Sequence, residues 1–490
     1  MADRWLPTGR VRRAVTPARL IVEGAAAATL AKARAVRGGS LQEIAEDLAE
    51  DERLVAAAER IARQLGEMKG AAMKIGQILS FVDLGLVPEQ FRGALAALQA
   101  DAPPMPYELV EQVIVEELGA RPEELFDYFS PVPIASASIG QVHMARGVRP
   151  GALDLVAARR TDGPALSGRL ARGLGSGGDD EELVVKVQYP GVAKAIESDL
   201  KNAALLSLLG RVVQRLLADL VGRVDTKAII EELRERATEE LDYRIEARNQ
   251  ELFRELFEGD PTIEVPAVVP ELSTERVLTS QYVDGLRWSA ALEAPKERRD
   301  RWGQVIGRFQ WLSMFGHGVT NLDPHPGNYL FHDDGHVTFL DFGACQQYTG
   351  EQLERLIGLV LAAMADTDEA VMASLERFGL IRKATGFDVD LLVRPVRLAF
   401  EPAMAEEQPF QFTRDFVAVQ VAQALDLRFG KDELKLLQAL DVPPELPMVL
   451  RVTVGIAGLL SQLGAAVDFQ VVLDEALAGH PDYTPFSSRR

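Results

Sequence analysis

The segments Asn321-Leu-Asp-Pro-His-Pro-Gly-Asn-Tyr-Leu-Phe331 and Val337-Thr-Phe-Leu-Asp-Phe-Gly343 restrict the fold of this chain more than any other stretch. Asp323 and Asn328 stand five positions apart, and Asp341 comes thirteen beyond Asn328, behind an apolar run that reads as a short strand or tight hairpin (Val337 to Leu340). This is the pattern of a phosphotransferase centre. One carboxylate orients or deprotonates an acceptor, while an amide oxygen and a second carboxylate hold a divalent metal against phosphate oxygens. Hard oxygen donors of this kind suit Mg²⁺. Asp323 is therefore the candidate base, and Asn328 and Asp341 are the candidate metal ligands. The first segment alone also reads as a polar turn between two strands, with Pro324, Pro326 and Gly327 as turn formers, and Asp-Phe-Gly alone occurs by chance; both in order argue against that.

With 490 residues, the chain has room for two or three domains. Its formal net charge of -20 argues against a nucleic-acid partner, which would call for a basic face. The one cysteine, Cys345, excludes a disulfide framework within the chain and suits a reducing, cytoplasmic setting. The six histidines form no HExxH or Cys/His cluster, so the sequence predicts no structural zinc site. No apolar run reaches the roughly 20 residues that span a bilayer; Val452 to Leu460 is the best candidate and is too short.

Residues 1–37 carry eight Lys or Arg against two acids, the reverse of the chain as a whole. The arm 1–39 suits either the acidic body of the same protein or peripheral contact with an anionic membrane. A helical extension follows over 40–125. In its Gly70-Ala-Ala-Met-Lys-Ile-Gly-Gln-Ile-Leu-Ser80 stretch, Lys74 and Gln77 share a helix face lined by small residues. A lysine there needs a partner if buried, and a purely structural lysine is the alternative. Tyr107 to Leu118 reads as a further helix.

Residues 126–284 read as a strand-rich lobe. Pro133 to His143 predicts strand, turn and strand, with Ala135, Ser136, Ala137 and Ser138 as small residues whose backbone N–H groups could cradle phosphates; a plain tight hairpin fits equally well. The stretch 147–182 reads as a flexible insertion. Leu183 to Gln188 is a β-rich strand with Lys186 at its centre. That lysine either meets a phosphate or carboxylate or guards a sheet edge. A long helix is expected over Thr226 to Phe253. In it Glu240 is the first choice and Asp242 the second to hold Lys186, while Glu239 and Glu246 read as surface charges, the latter with an arginine to brace. Val265 to Val269 and Val277 to Tyr282 read as short strands, and Val283-Asp284-Gly285 as a hinge-like turn. Residues 285–470 then read as helical around the catalytic segments, with helices over Trp302 to Phe315, Leu353 to Met364, Phe387 to Leu398, Phe412 to Leu427, Glu433 to Leu440 and Leu446 to Leu463. Residues 471–490 read as a tail, loose from Pro481. No Ala-Pro-Glu segment follows Asp341, which speaks against a regulated protein kinase.

Taken together, these residues resemble the ABC1/AarF/UbiB atypical kinase-like family, which includes the COQ8-type proteins, over about residues 40 to 460. The resemblance rests on Lys74-Ile-Gly-Gln77, Ala135-Ser-Ala-Ser138 leading into Ile139-Gly-Gln-Val-His143, Lys186 in Val-Lys-Val-Gln-Tyr-Pro-Gly, Glu240-Leu-Asp242, Asp323 to Asn328, and Asp341-Phe-Gly343. It implies an α+β, bilobal protein-kinase-like fold with the N-terminal helices over the active site. It further implies ATP and Mg²⁺ as cofactors. Lys186 would pair with Glu240 and reach the α- and β-phosphates, the alanine-rich loop and the hinge strand with Gln281 would take the nucleotide, and Asp323 would stand as base. Lys74 and Gln77 would cover the place where a protein kinase receives its peptide. The partners implied are a nucleotide and a lipid-like or quinone-like small molecule, within a biosynthetic complex. A nucleotide-sensing scaffold without turnover is the second functional reading, and a protein kinase the third. The absence of a hydrophobic C-terminal helix, the insertion before Lys186 and Gln281 in place of glutamate are departures from the family pattern.

Overall fold

The computed structural model describes residues 105–136, 139–159, 181–193, 241–365, 367–381, 389–425 and 446–488. Lys74, Gln77, Ala137, Ser138 and Glu240, the arm 1–39 and the helix expected over Glu433 to Leu440 all lie outside these residues.

In chain order the elements begin with α1 (Tyr107–Leu118), β1 (Phe126–Phe129), β2 (Ala135–Ser136), β3 (Gly140–Val148), α2 (Ala152–Arg159), β4 (Glu182–Gln188), α3 (Tyr243–Leu256), β5 (Ile263–Glu264) and β6 (Val277–Gln281). They continue with α4 (Lys296–Trp311), β7 (Val319–Asn321), β8 (Tyr329–Phe331), β9 (Val337–Phe339), β10 (Cys345–Gln347), α5 (Gly350–Ala363), α6 (Asp368–Arg377) and α7 (Asp390–Ala399). The last are β11 (Phe410–Gln411), α8 (Arg414–Leu425), α9 (Leu446–Leu463), β12 (Ala466–Val467) and α10 (Phe469–Ala476). The chain divides into two compact units, Met1–Arg248 with Ala267–Tyr282, and Asn249–Pro266 with Val283–Arg490.

The first unit is built on an antiparallel sheet in the order β1-β3-β4-β6, with β2 on β3. Alternation in β4 buries Leu183, Val185 and Val187 on one face and turns Lys186 to the other. Because β4 is paired on both sides, Lys186 is no edge-strand guard. The buried stripe of α1 (Leu109, Val110, Val113, Ile114, Leu118) shares a core with the inward residues of β4 and β6. Gly119, at φ 73°, closes α1 by donating to Val115 O. At Gly140 a Cβ would stand 2.3 Å from Val187 O, so the backbones of β3 and β4 meet where no side chain fits.

Gln141 and His143, buried in this unit, satisfy each other and the backbone. Gln141 accepts from Met105 N–H at 2.8 Å, and its Nε2 lies 2.9 Å from His143 Nε2. The donor amide requires His143 Nε2 to accept, so Nδ1 carries the proton and donates to Ser130 O at 2.8 Å. Burial pushes the His143 pKa down, in keeping with that neutral form.

Three sequence expectations are corrected here. The expected insertion 147–182 is built into the unit at its start: β3 runs to Val148, and α2 seats Ala152 and Val156 in the core. Its Gly- and Asp-rich part lies beyond α2. Val265 to Val269 is not a strand; Val268 makes only an isolated bridge to Ser280, while Val265, Val268 and Val269 are buried. Pro266 and Pro270 remove ladder donors on both sides, and a 3₁₀ turn starts at Pro270. The helix expected over Thr226 to Phe253 does not run through Leu241 and Asp242: α3 starts at Tyr243, with Asp242 accepting from Arg244 N–H at 3.0 Å, and residues 226–240 lie outside the described residues.

The second unit centres on α4, whose Trp302, Ile306 and Phe309 are buried in one large cluster with residues of α9, α10 and the strands β7 to β9. Gly303 permits the close contact: a Cβ there would stand 2.4 Å from Ala465 Cβ. A π-helical turn, Leu312–Gly316, continues α4 towards β7. Two small sheets, β5-β9-β8 and β10-β7, carry the segments around Asp323 and Asp341. Thr349 starts α5 with a capping box to Gln352. The tail is not loose up to Ser488: Asp474 accepts from Tyr483 Oη at 2.7 Å and Phe486 N–H at 2.8 Å, and both aromatic rings are buried.

Candidate functional site

In the first unit, Lys186 Nζ donates to both carboxylate oxygens of Glu246 at 2.8 Å. The Lys186 and Glu246 side chains are 15% and 6% exposed, so the charges are held out of water. The ammonium also lies 5.0 Å from the centroid of the Tyr243 ring. Among the described residues the carboxylate at Lys186 is Glu246, in the first turns of α3, and this corrects the reading that left Glu246 as a surface charge; Glu240, the first choice for that place, lies outside the described residues. Asp242 is engaged elsewhere. Its oxygens take Nε and Nη2 of Arg244 at 2.8 and 3.0 Å. The place of Glu246 follows from where α3 begins: with the helix starting at Tyr243, Glu246 stands one turn into it, on the side of the buried Tyr243 and Ala247.

The sheet register puts Ala135, Val142, Lys186 and Leu278 in one row across β2, β3, β4 and β6, hence on one face. Ala135 and Ser136 are thus brought to the row of Lys186 or its neighbour. Gln281 pairs with Leu183 and so belongs to the opposite face, with its side chain exposed at the end of β6.

In the second unit, Asp323, Asn328 and Asp341 come together. Asn328 Nδ2 donates to Asp323 O at 3.2 Å and to Asp323 Oδ2 at 3.1 Å. Asp341 Oδ1 accepts from Gly343 N–H at 2.9 Å. Leu340 N–H donates to Asn328 O at 3.0 Å, which ties the start of β8 to the end of β9. His325 Nδ1 accepts from Gly327 N–H and shapes the Pro-Gly turn.

Asn321 joins these groups. It is 8% exposed; its Oδ1 accepts from Asp323 N–H at 2.9 Å and its Nδ2 donates to Asp341 O at 2.7 Å. Phe342 of the Asp-Phe-Gly motif is buried between core rings, and Asn249 Nδ2 donates to its carbonyl at 3.0 Å. Gln310, Asn321, Asp323, Asn328 and Asp341 line one open cavity of about 240 Å³. Gln310 is 3% exposed, and its Nε2 has no hydrogen-bond partner among the described residues. Sequence reading missed Glu246, Asn321, Asn249 and Gln310. Only Asn321 had a local signal, two positions before Asp323.

The donor set fits a hard divalent cation. Asn328 commits its amide nitrogen to Asp323, which leaves Oδ1 available, and Asp341 adds a carboxylate beside it. Burial, then the charge of Asp323, holds the Tyr329 phenol well above its ordinary range, so it stays protonated at the wall of the cavity.

The ABC1 atypical kinase-like domain model matches residues 97–153 and 175–375. The chain belongs to the ABC1 atypical kinase-like family. Among the relatives of this ABC1 chain, the rat atypical kinase COQ8B is 30% identical over 450 residues, covering 90% of the chain and 75% of the relative. The yeast atypical kinase COQ8 is 29% identical over 430 residues, covering 86% and 76%. Both are mitochondrial by name. The solved structure of Mycobacterium tuberculosis Rv3197 in complex with erythromycin matches with a TM-score of 0.56 and 29% identity, over 90% of this chain and 99% of that one. The two units are therefore those of the bilobal, kinase-like ABC1 fold. Among the described residues, no helix of this ABC1 chain is long and apolar enough to cross a membrane.

Proposed function

We propose that this chain is a Mg²⁺- and ATP-dependent phosphotransferase or ATPase that acts on, or supports the metabolism of, an isoprenoid lipid or quinone-like small molecule. The observation that carries the reading is the cavity where Asn321 fixes Asp323 and Asp341 while Asn328 is bonded to Asp323. Asn328 Oδ1 and the Asp341 carboxylate would hold the metal. When bound, Mg²⁺ would neutralise phosphate oxygens. Asp323 would take the proton from the acceptor hydroxyl or water; its amide, anchored on Asn321, fixes the direction of attack. Lys186, kept in place by Glu246, is assigned the α- and β-phosphates, and the Ala135–Ser138 loop and the Gln281 backbone the nucleotide. The family resemblance supports these assignments and those of Lys74 and Gln77 as a cover over the site. The lipid or quinone class is owed to the COQ8-type relatives, and membrane contact would be peripheral, through the basic arm 1–39.

The test is ATP consumption by the full chain with Mg²⁺, with and without anionic vesicles and quinone-like phenols. Mg²⁺-dependent turnover that rises with either addition is expected. A chain that binds ATP but never consumes it under any of these conditions would belong to a nucleotide-sensing scaffold instead.

A further inference from the structure

Two of the histidines that look scattered along the chain meet a glutamate in the second unit. Parallel pairing sets Glu264 of β5 opposite Thr338 of β9, and the β8–β9 turn brings His332 and His336 back over the same oxygen. His336 Nε2 lies 3.3 Å from Glu264 Oε2, and His332 Nε2 lies 3.9 Å from it. The two imidazoles are stacked with centroids 3.6 Å apart. One donor atom from each of the three residues lies within 4.8 Å of the other two. All three residues are part-buried, so an ion can enter and keep a water ligand.

The arrangement around His336 is the informative part. Its Nδ1 stands 2.6 Å from Asp334 Oδ1, so it is the proton on Nδ1 that faces Asp334. The Nε2 edge faces the Glu264 carboxylate at 3.3 Å, where either a second imidazole proton or a metal ion can stand between nitrogen and oxygen, and the same Oε2 accepts from Thr338 Oγ1. A carboxylate that fixes the tautomer of an imidazole from behind is the usual outer partner of a metal-ligating histidine. The second imidazole supplies another nitrogen donor at the same oxygen.

We propose that Glu264, His332 and His336 bind one borderline divalent transition-metal ion, with Zn²⁺ the best match to a nitrogen, nitrogen, oxygen donor set completed by water. Thr338 gives its hydroxyl proton to Glu264 Oε2, so His332 Nε2 donates to Thr338 Oγ1 at 2.8 Å; the metal takes the place of that proton, which passes to Nδ1 or to solvent. The ion ties β5 to the β8–β9 hairpin. It is separate in kind from the hard-oxygen pair Asn328 and Asp341, and the inference stands without the proposed activity.

The experiment is calorimetric titration of Zn²⁺ into the full chain, stripped with a chelator and held in excess Mg²⁺. Co²⁺ serves as a spectroscopic probe, and melting curves are taken with and without Zn²⁺. The wild type is expected to take up one equivalent, to show the visible bands of tetrahedral Co²⁺, and to gain melting temperature with Zn²⁺. Glu264→Gln, which keeps the side-chain shape, and His336→Ala should lose all three responses, and Asp334→Asn should weaken binding roughly 10- to 100-fold. His480→Ala, outside the cluster, should match the wild type. The proposal is overturned by a wild type that takes up no Zn²⁺, or by uptake that survives both Glu264→Gln and His336→Ala. A His336→Ala protein that fails to fold leaves Glu264→Gln and the Co²⁺ spectrum of the wild type to decide.

Discussion

Lys186–Glu246 and the Asp323–Asp341 segment hold charge in opposite ways. The first is side chain on side chain, strand β4 against helix α3, between residues 60 positions apart and nearly closed to water. The second places its carboxylates on loops, and their neighbours are backbone groups and amides drawn largely from 321–343. A buried ion pair is brittle, because losing one partner strands the other charge in a poor dielectric. Loop carboxylates fixed through their own backbone can lose charge with little harm to the fold. One region is thus vulnerable in stability, and the other in chemistry.

Replacing Asp341 by Asn should break the contrast at its chemical end. ATP turnover should fall about 1,000-fold, with the melting temperature nearly unchanged; a mutant with wild-type turnover would remove Asp341 from the metal site. Glu246→Ala should do the reverse in the first unit and cost about 3–5 kcal/mol in denaturant unfolding. A double-mutant cycle with Lys186→Ala should show strong coupling, and strict additivity would mean that the pair contributes nothing as a pair. Asn321→Ala sharpens the comparison, since it leaves the Asp323 N–H and the Asp341 carbonyl without their partner. It should cost about 1–3 kcal/mol and lower turnover as well, and an effect on stability alone would count against its positioning role. The smallest change is expected for Asp242→Ala, about 1 kcal/mol from the start of α3. Its cycle with Lys186→Ala should be additive, and coupling there would restore Asp242 as a lysine partner.

The same contrast explains what the sequence made legible. Asp323, Asn328 and Asp341 could be grouped because their spacing is short and each contact closes a small loop. Glu246 could not be picked from a run of acids, since its role depends on where α3 starts, and that is set by Asp242 turning back on Arg244. Helices with a strong apolar stripe, Tyr107–Leu118 and Leu446–Leu463, were readable to the residue. The valines of 265–269 misled because their apolar character serves burial rather than pairing. The C-terminal residues misled through composition. Their polar, proline-rich look hid the grip of Asp474 on Tyr483 and Phe486. The Glu264 cluster left no local trace, because one of its members comes from another strand.

Asn321 has a kinetic consequence. Because one amide side chain holds the Asp323 N–H and the Asp341 carbonyl, neither carboxylate loop can open without tugging the other. The two ought to breathe as one lever, with a shared opening rate rather than two. In hydrogen exchange, the amides of Asp323 and Gly343 should then slow together when a cation settles at Asp341, although only Gly343 donates to that carboxylate.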